Sequence, residues 1–394
     1  MKFRPFGLED IPDDWVVSTV SDVSKLVTRG KQPKYQESGT MVLNQKMIQN
    51  DGIHYEFAKR HDVTKSVKPE LFINQYDIVL NSTGTGTAGR SQIFLDVSVE
   101  DLFMDSHVTL IRPDVEKVNP IFMFAQLHDA RFVKYIEDVL LAGSTGQVEL
   151  SKSKVLDMPI LLPPLSVQDK FGALYESLMR KQSLLGLIND NLLELGRSYY
   201  QNFLDTHDTE GQMVSTIAKS VITGKTPSTK DESNYGDDVP FVTIPDMHSQ
   251  IFTTKTTRSL SKKGADSQVK KYLPPFTLSV SSIGTPGLVT INPEESQTNQ
   301  QINSVIAEKE KIWYLFLAFD SLKAHIENMG SGGSTILNLN KSNFEKIDID
   351  WPIDKSALIE FNTVIEPIFM NILNNQREID SLSMVRDTLL SELI

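Results

Sequence analysis

Residues 143–204 set the order of this chain: Gly143-Ser-Thr-Gly-Gln-Val-Glu-Leu-Ser-Lys-Ser153, then Met158-Pro-Ile-Leu-Leu-Pro-Pro164, then a helical pattern from Val167 to Leu204. The stretch reads as a Gly-rich loop with a short polar strand, an apolar strand and a long helix. The same order returns as Gly333-Ser-Thr-Ile-Leu-Asn-Leu-Asn-Lys-Ser342, Ile347-Asp-Ile-Asp-Trp-Pro352 and a helical run to Leu393. Leu150 matches Leu339, Lys152-Ser153 matches Lys341-Ser342, Pro163 matches Pro352 and Arg197 matches Arg386, each at an offset of 189. A repeat this long means two similar units, each too large for a solenoid element.

Upstream of each copy the pattern is strand-rich. Asp77-Ile-Val-Leu-Asn81 and Ser106-His-Val-Thr-Leu-Ile111 are short β-branched runs bounded by turn residues. A helix is expected from Pro120 to about Leu140, with Ile121, Phe124, Ala125, Leu127, Phe132 and Ile136 on one face. The segment 213–340 follows the same order, its helix running from Ile312 to Met329. Val17-Ser-Thr-Val20 matches Val214-Ser-Thr-Ile217, and Gly30-Lys-Gln-Pro33 matches Gly224-Lys-Thr-Pro227. Asn81-Ser-Thr-Gly-Thr-Gly-Thr-Ala-Gly89 matches Ser281-Ser-Ile-Gly-Thr-Pro-Gly287 more loosely. Between these landmarks the halves share almost nothing, so a frame is duplicated while its loops differ.

The helical runs carry seams. Phe171, Leu174, Leu178, Leu185, Ile188, Leu192, Leu195 and Tyr199 step by three and four, with Lys181 in the missing place. Phe361, Ile365, Ile368, Ile372, Ile379, Leu382, Val385, Leu389 and Leu393 do the same, with Asn375 interrupting. This is close to a coiled-coil period, in which a polar seam residue fixes register at some cost in stability. Each run most simply buries its seam against the other; 38 residues at about 1.5 Å each make a rod on the order of 55–60 Å. Pro367 should kink the second helix or mark its start. The fold class expected is α+β: two strand-rich domains in pseudo-twofold repeat, joined by two long antiparallel helices forming a coiled-coil spacer. The boundaries fall at 1–150, 151–206, 207–340 and 341–394.

Composition narrows the chemistry. With 394 residues there is room for two or three domains. The absence of cysteine excludes disulfides, thiolate nucleophiles and Cys-based zinc sites. No apolar signal segment opens the sequence and no run reaches a membrane span, so a cytoplasmic location is expected. Net charge is 39 − 51 = −12, which argues against a nucleic-acid binder. The charge is uneven, however. Lys25, Arg29, Lys31, Lys34 and Lys46 face only Glu37 within 23–46, and Lys255, Arg258, Lys262, Lys263, Lys270 and Lys271 face only Asp266 within 255–271. Two basic islands fit two phosphate-facing surfaces; ordinary solvated loop charge is the plainer reading.

Catalytic motifs fail one by one. Gly224-Lys-Thr226 lacks the P-loop glycine five residues earlier, where Lys219 stands, and Gly30-Lys-Gln32 lacks the magnesium-binding hydroxyl. Tyr272-Leu-Pro-Pro-Phe276 brushes the Pro-Pro-aromatic motif of amino-methyltransferases, but Leu273 cannot accept a bond from the target amine. Asp354-Lys355 and Asp114-Val-Glu-Lys117 lack partner acids for a nuclease set. The seven histidines have no metal-ligand spacing. No catalytic or metal-binding residue is assigned.

Two diverged strand-rich domains, each followed by a Gly-Ser-Thr turn, a Pro-ended strand and a long helix, resemble the specificity (S) subunits of type I restriction–modification systems over nearly the whole chain. Gly143-Ser-Thr-Gly-Gln147, Ile160-Leu-Leu-Pro-Pro164 with Gln168, and Ile11-Pro-x-x-Trp15 look like that family's landmarks. The second copy departs, with Ile336-Leu337 in place of Gly-Gln and Trp351-Pro352 in place of Pro-Pro. The resemblance implies two target-recognition domains that each read half of a split double-stranded DNA site. It implies no cofactor in this chain, two modification (M) subunits that bind S-adenosylmethionine and methylate adenine, and a place for restriction (R) subunits.

Lys/Arg contact guanine and Asn/Gln contact adenine, so polar residues near the Gly-Lys-x-Pro turns are the candidate DNA readers. In the first half these are Lys31, Gln32, Lys34, Tyr35, Asn44, Gln45, Lys46, Ser82, Thr85 and Arg90. In the second they are Lys225, Thr226, Thr229, Lys230, Lys255, Arg258, Ser282 and Thr285. Lys262 and Lys263 complete the DNA-binding set, Lys262 as a phosphate contact that does not read sequence. The seam is assigned to Phe171, Leu178, Leu185, Ile188, Leu192, Leu195, Ile372, Ile379, Leu382 and Leu389. The competing function is a non-DNA scaffold with two ligand-binding modules on a coiled coil, which a gel shift on random-sequence duplexes separates from the first.

Overall fold

The computed structural model describes residues 4–8, 11–96, 102–141, 148–248, 250–331 and 340–394. The Gly143–Gln147 turn and the 333–339 stretch lie outside them. The chain forms two compact units, Met1–Arg180 with Ser383–Ile394, and Lys181–Leu382. The contacts thus divide both long helices between the units, where the sequence reading had set the helices apart from the strand-rich segments.

The units share one plan. In the first, a four-stranded sheet places Ser24–Arg29, Val108–Pro113, Ile78–Asn81 and Ser91–Ile93 side by side. A second sheet joins Tyr35–Gln36, Lys59–His61, Thr40–Leu43 and Phe103–Met104, the last pair parallel. Val16–Thr19 pairs with Pro159–Leu162 as a separate ribbon. The second unit repeats all three. Its sheets are Ser220–Thr223, Ile302–Ile306, Thr277–Ser281 and Val289–Asn292, then Tyr235–Gly236, Ser259–Leu260, Val239–Val242 and Gln297–Thr298. Its ribbon is Thr209–Met213 with Asp348–Pro352.

Ile78–Asn81 is buried at every position because the sheet is covered on both faces. Alternate side chains go opposite ways. Ile78 and Leu80 join Phe122, Phe171 and Leu390 in one core, and Val79 joins Leu43, Met104 and Leu110 in another. In the second unit Leu278 and Val280 pack with Trp313, Phe361 and Ile365. The central strand of each unit is entered through a residue in the left-handed region, Tyr76 at φ 64° and Phe276 at φ 60°. Each N–H is bonded across to the next strand, Tyr76 to the Phe94 carbonyl and Phe276 to the Asn292 carbonyl. Without glycine this conformation costs roughly 1–2 kcal/mol, and both units carry the cost at the same place.

Several expectations change. Lys152–Leu156 and Lys341–Phe344 are short helices and not polar strands; Ser151 and Asn340 cap them, accepting from the Lys154 and Asn343 N–H groups. The helix expected over 120–140 breaks at Asp129, whose extended backbone ends Pro120–His128 and whose carboxylate caps Ala130–Tyr135; Ile136–Leu140 continues as a π-helix. The match of Val17 with Val214 slips by three residues. Val20 and Ser21 donate to the Met158 and Leu156 carbonyls, as Val214 and Ser215 donate to Ile347 and Glu345. Val20 is therefore the true counterpart, at the same offset of 194 that relates Gly30 to Gly224.

The central helix runs Leu165–Thr206 and the C-terminal helix Lys355–Leu393. Pro367 does not break the latter; it is exposed, so water can satisfy the carbonyl that loses its N–H partner. In the first unit Phe171 is buried, Leu178 is half-buried and Leu389 packs on the core. In the second, Lys181 pairs with Glu378, Asn375 donates to Asn189 over 2.8 Å, and Tyr199 meets Phe361, an antiparallel run. Leu185 and Ile372 are buried there, while Leu192, Ile379 and Leu382 are half-buried. Ile188 and Leu195 are 47% and 55% exposed and do not belong to the seam. With Leu184 they form a separate stripe, spaced i, i+4, i+11, on the outer side. The C-terminal helix is, against the sequence expectation, long and apolar enough to pass the length-and-composition criterion for a membrane span. Its Phe361, Ile365, Phe369 and Ile372 are core residues of the second unit.

Candidate nucleic-acid interface

Each Gly-Lys-x-Pro turn is built by one set of main-chain bonds. Gly30 and Lys31 donate to the Val108 and Met104 carbonyls; Gly224 and Lys225 donate to Ile302 and Thr298. A Cβ on Gly30 would lie 2.0 Å from the Asp105 carbonyl oxygen, and one on Gly224 would lie 2.2 Å from those of Thr298 and Asn299. Glycine is required by this close approach and not by a phosphate. The prolines that follow, Pro33 and Pro227, are buried, while Lys31 and Lys225 are exposed. The motif is a frame that presents a lysine.

In the first unit this turn meets two others. Ser106 Oγ donates to Gln32 Oε1 over 2.9 Å. Thr83 Oγ1 lies 3.0 Å from Gln45 Oε1 and 2.9 Å from His107 Nδ1. Arg90 donates to Gln49 Oε1 over 2.6 Å. Lys31, Gln32, Lys34, Tyr35, Lys46 and Thr85 are exposed here, and Gln45 and Arg90 half-buried. Burial, then Asp105, raises the Tyr35 hydroxyl to about 12, so it stays a donor at neutral pH. Asn44 and Ser82 do not serve as readers. Asn44 is buried, donating to the Phe57 carbonyl and accepting from the Lys46 N–H; Ser82 is buried against the Thr109 hydroxyl at 2.6 Å.

The second unit assembles a matching patch. Thr226 Oγ1 donates to Gln300 Oε1 over 2.6 Å. Gln268 holds the turn from beneath, donating to the Lys225 carbonyl and to Gln297 Oε1. Thr229, Lys230 and Arg258 are exposed and Thr285 half-buried. Ser282 is a correction, being buried and accepting from Asn303 Nδ2. Lys255 turns to Asp380 of the C-terminal helix, 3.2 Å away.

The basic islands are largely answered inside the protein. Lys34 meets Asp62, Arg29 meets Glu149, Lys262 meets Asp266 and Lys263 meets Asp231. The Lys262 and Lys263 pairs are exposed on both sides. Such pairs are weak and screened by salt, so a phosphate can replace the carboxylate there at small cost. Asp62 is buried, and Arg29 also donates to the Ser106 and Leu150 carbonyls. Sequence reasoning missed Ser106, His107, Gln300 and Gln301. All four sit on the connection before the strand that pairs with the glycine turn. The missed signal was the offset of 194, which holds for 106/300 and 107/301 as it does for 30/224. His107 donates its N–H to Asp105 Oδ1 as Gln301 donates to Asn299 Oδ1.

Residues 12–192 and 214–379 match the family model of the type I restriction modification DNA specificity domain. The chain is 26% identical to the type I restriction enzyme HindI specificity subunit of Haemophilus influenzae over a 458-position alignment covering 97% of this chain and 99% of that one. It is 19% identical to a putative type I restriction enzyme MjaX specificity subunit of Methanocaldococcus jannaschii, covering 89% and 86%. In fold it resembles the type I restriction–modification S subunit from M. genitalium, with TM-score 0.57 and 14% identity over 98% of both chains.

Proposed function

The chain belongs to the type I restriction modification DNA specificity family, whose members are non-catalytic specificity subunits, and on that premise we propose that each unit reads one half of a bipartite double-stranded DNA site. The observation that carries this is a frame duplicated bond for bond around exposed polar side chains that differ. Such a frame fixes where a side chain stands and leaves free what it reads. The apolar stripe Leu184, Ile188 and Leu195, with Leu187 at 57% exposed beside it, supports docking of methyltransferase (M) subunits on the helices. Two M subunits fit a chain with two similar units, and S-adenosylmethionine belongs to them and not to this chain. The same assembly, working in the cytoplasm, leaves a place for restriction subunits.

The test exchanges residues 15–142 for the same segment of a relative and sequences the methylated sites. One half-site should change while the other stays. A change in both, or in neither, refutes the modular reading. Labelled S-adenosylmethionine should crosslink to the M subunit; crosslinking to the isolated chain would overturn the cofactor assignment.

A further inference from the structure

Two hydrogen bonds, one in each unit, occupy one structural site with their chemistry exchanged. Ser106 donates to the carbonyl of Gln32, and Thr226 donates to the carbonyl of Gln300. Position 32 corresponds to 226 and 106 to 300, both at the offset of 194. The flanking main-chain bonds, Gly30 to Val108 and Gly224 to Ile302, carry the same offset. The glutamine thus stands on the glycine turn in the first unit and on the facing connection in the second.

The pair adds little to the fold. Main-chain bonds already pin both turns, and an exposed neutral hydrogen bond largely exchanges with one to water. What it does is orient an exposed amide. With one bond accepted, each glutamine carbonyl keeps a lone pair and each amide nitrogen keeps two protons. Among the described residues neither amide nitrogen meets a protein acceptor. A donor and an acceptor held side by side match the N6 and N7 edge of adenine in the major groove. The lysine beside each turn, Lys31 or Lys225, is placed to hold the neighbouring phosphate.

We infer that Gln32 and Gln300 are the equivalent base-reading side chains of the two units, each addressed to an adenine in its own half-site. This rests on the reading of the chain as a DNA specificity subunit. The experiment selects duplexes from a randomised library with the full chain and its M partner, comparing wild type, Gln32→Ala and Gln300→Ala. Each variant should lose roughly tenfold to a hundredfold discrimination at one A·T position of one half-site. The unaltered half-site in the same molecule reports folding. Thr226→Gln with Gln300→Ser moves the amide across the site and should restore an A·T preference at that position or its neighbour. If wild type selects no split motif, the specificity reading itself fails, and this inference with it. A split motif unchanged by Gln32→Ala and Gln300→Ala overturns only the glutamine assignment. So does relaxation at a G·C position, or loss of both half-sites together.

Discussion

Val79 and Ser279 stand at the same point of the same strand in two units of one plan, and their surroundings have opposite character. Val79 packs in an apolar core with Leu43, Met104 and Leu110. Ser279 donates to Asn292 Oδ1 and lies 3.1 Å from the Ser304 hydroxyl. At the offset of 194, Phe103 gives way to Gln297 and Leu110 to Ser304, all fully buried. At the strand entrance, Asp77 is fully buried and takes two bonds from Arg112, whereas Thr277 bonds the Pro274 carbonyl. The comparison teaches that the register is set by the backbone ladder and the helix-side core. The opposite face tolerates either packing or a satisfied polar network.

Removing one side of that difference should show it. Because two units need not unfold together, hydrogen exchange in each unit is the measure. Asp77→Ala should destabilise the first unit most, by about 3 kcal/mol. That is the low end for a broken buried pair, since Arg112 keeps 22% of its side chain in water. Thr277→Ala should cost the second unit only about 1 kcal/mol; equal losses would erase the distinction. Val79→Ser and Ser279→Val should each cost about 1–3 kcal/mol, one by burying an unpaired hydroxyl and the other by orphaning Asn292. If Ser279→Val stabilises, the polar network is not what holds that face.

Ile188→Ala should shift stability by about 0.5 kcal/mol or less, as at other exposed positions. It should still weaken retention of M subunits in a pull-down, and unchanged retention would remove the stripe from the docking surface. The smallest effect is at acid pH. Hydrogen bonds from the Thr64 hydroxyl and N–H, with Lys34, hold the Asp62 carboxyl down from 3.8 to about 2. A lowered folded value stabilises above the unfolded value, so this contribution is present above pH 3.8 and fades as pH falls towards 2. Carboxyl NMR titration checks it, and Thr64→Val should return Asp62 towards the ordinary range.

The sequence displayed what periodicity and punctuation can display. The long helices, the Met158–Pro164 strand and the doubling were legible because apolar spacing and proline position encode them directly. The slip of Val17 for Val20 arose because three identical letters outweighed a register that only backbone bonds define. Ile188 and Leu195 were placed in the seam because two apolar stripes lie on one helix and period alone does not say which faces inward. The glycines were seen, but their reason is a carbonyl about 2 Å from an absent Cβ, a tertiary fact. Gln300 was hidden because the repeat offset moves from 194 at Gly30 to 200 at Tyr76 and back to 194 at His107. Matching loops therefore do not align by counting.

Leu390 is 2% exposed within the core of the first unit, and that places a constraint on time. The ribosome releases residue 180 long before residue 390, and at 5–20 residues per second the interval is roughly 10–40 s. Throughout it, the unit made first lacks a part of the core that holds Phe171 and Tyr175, while the unit made second ends at residue 382. Birth order and completion order are therefore reversed in this protein. A nonsense codon near position 383 should injure the recognition head encoded farthest from it.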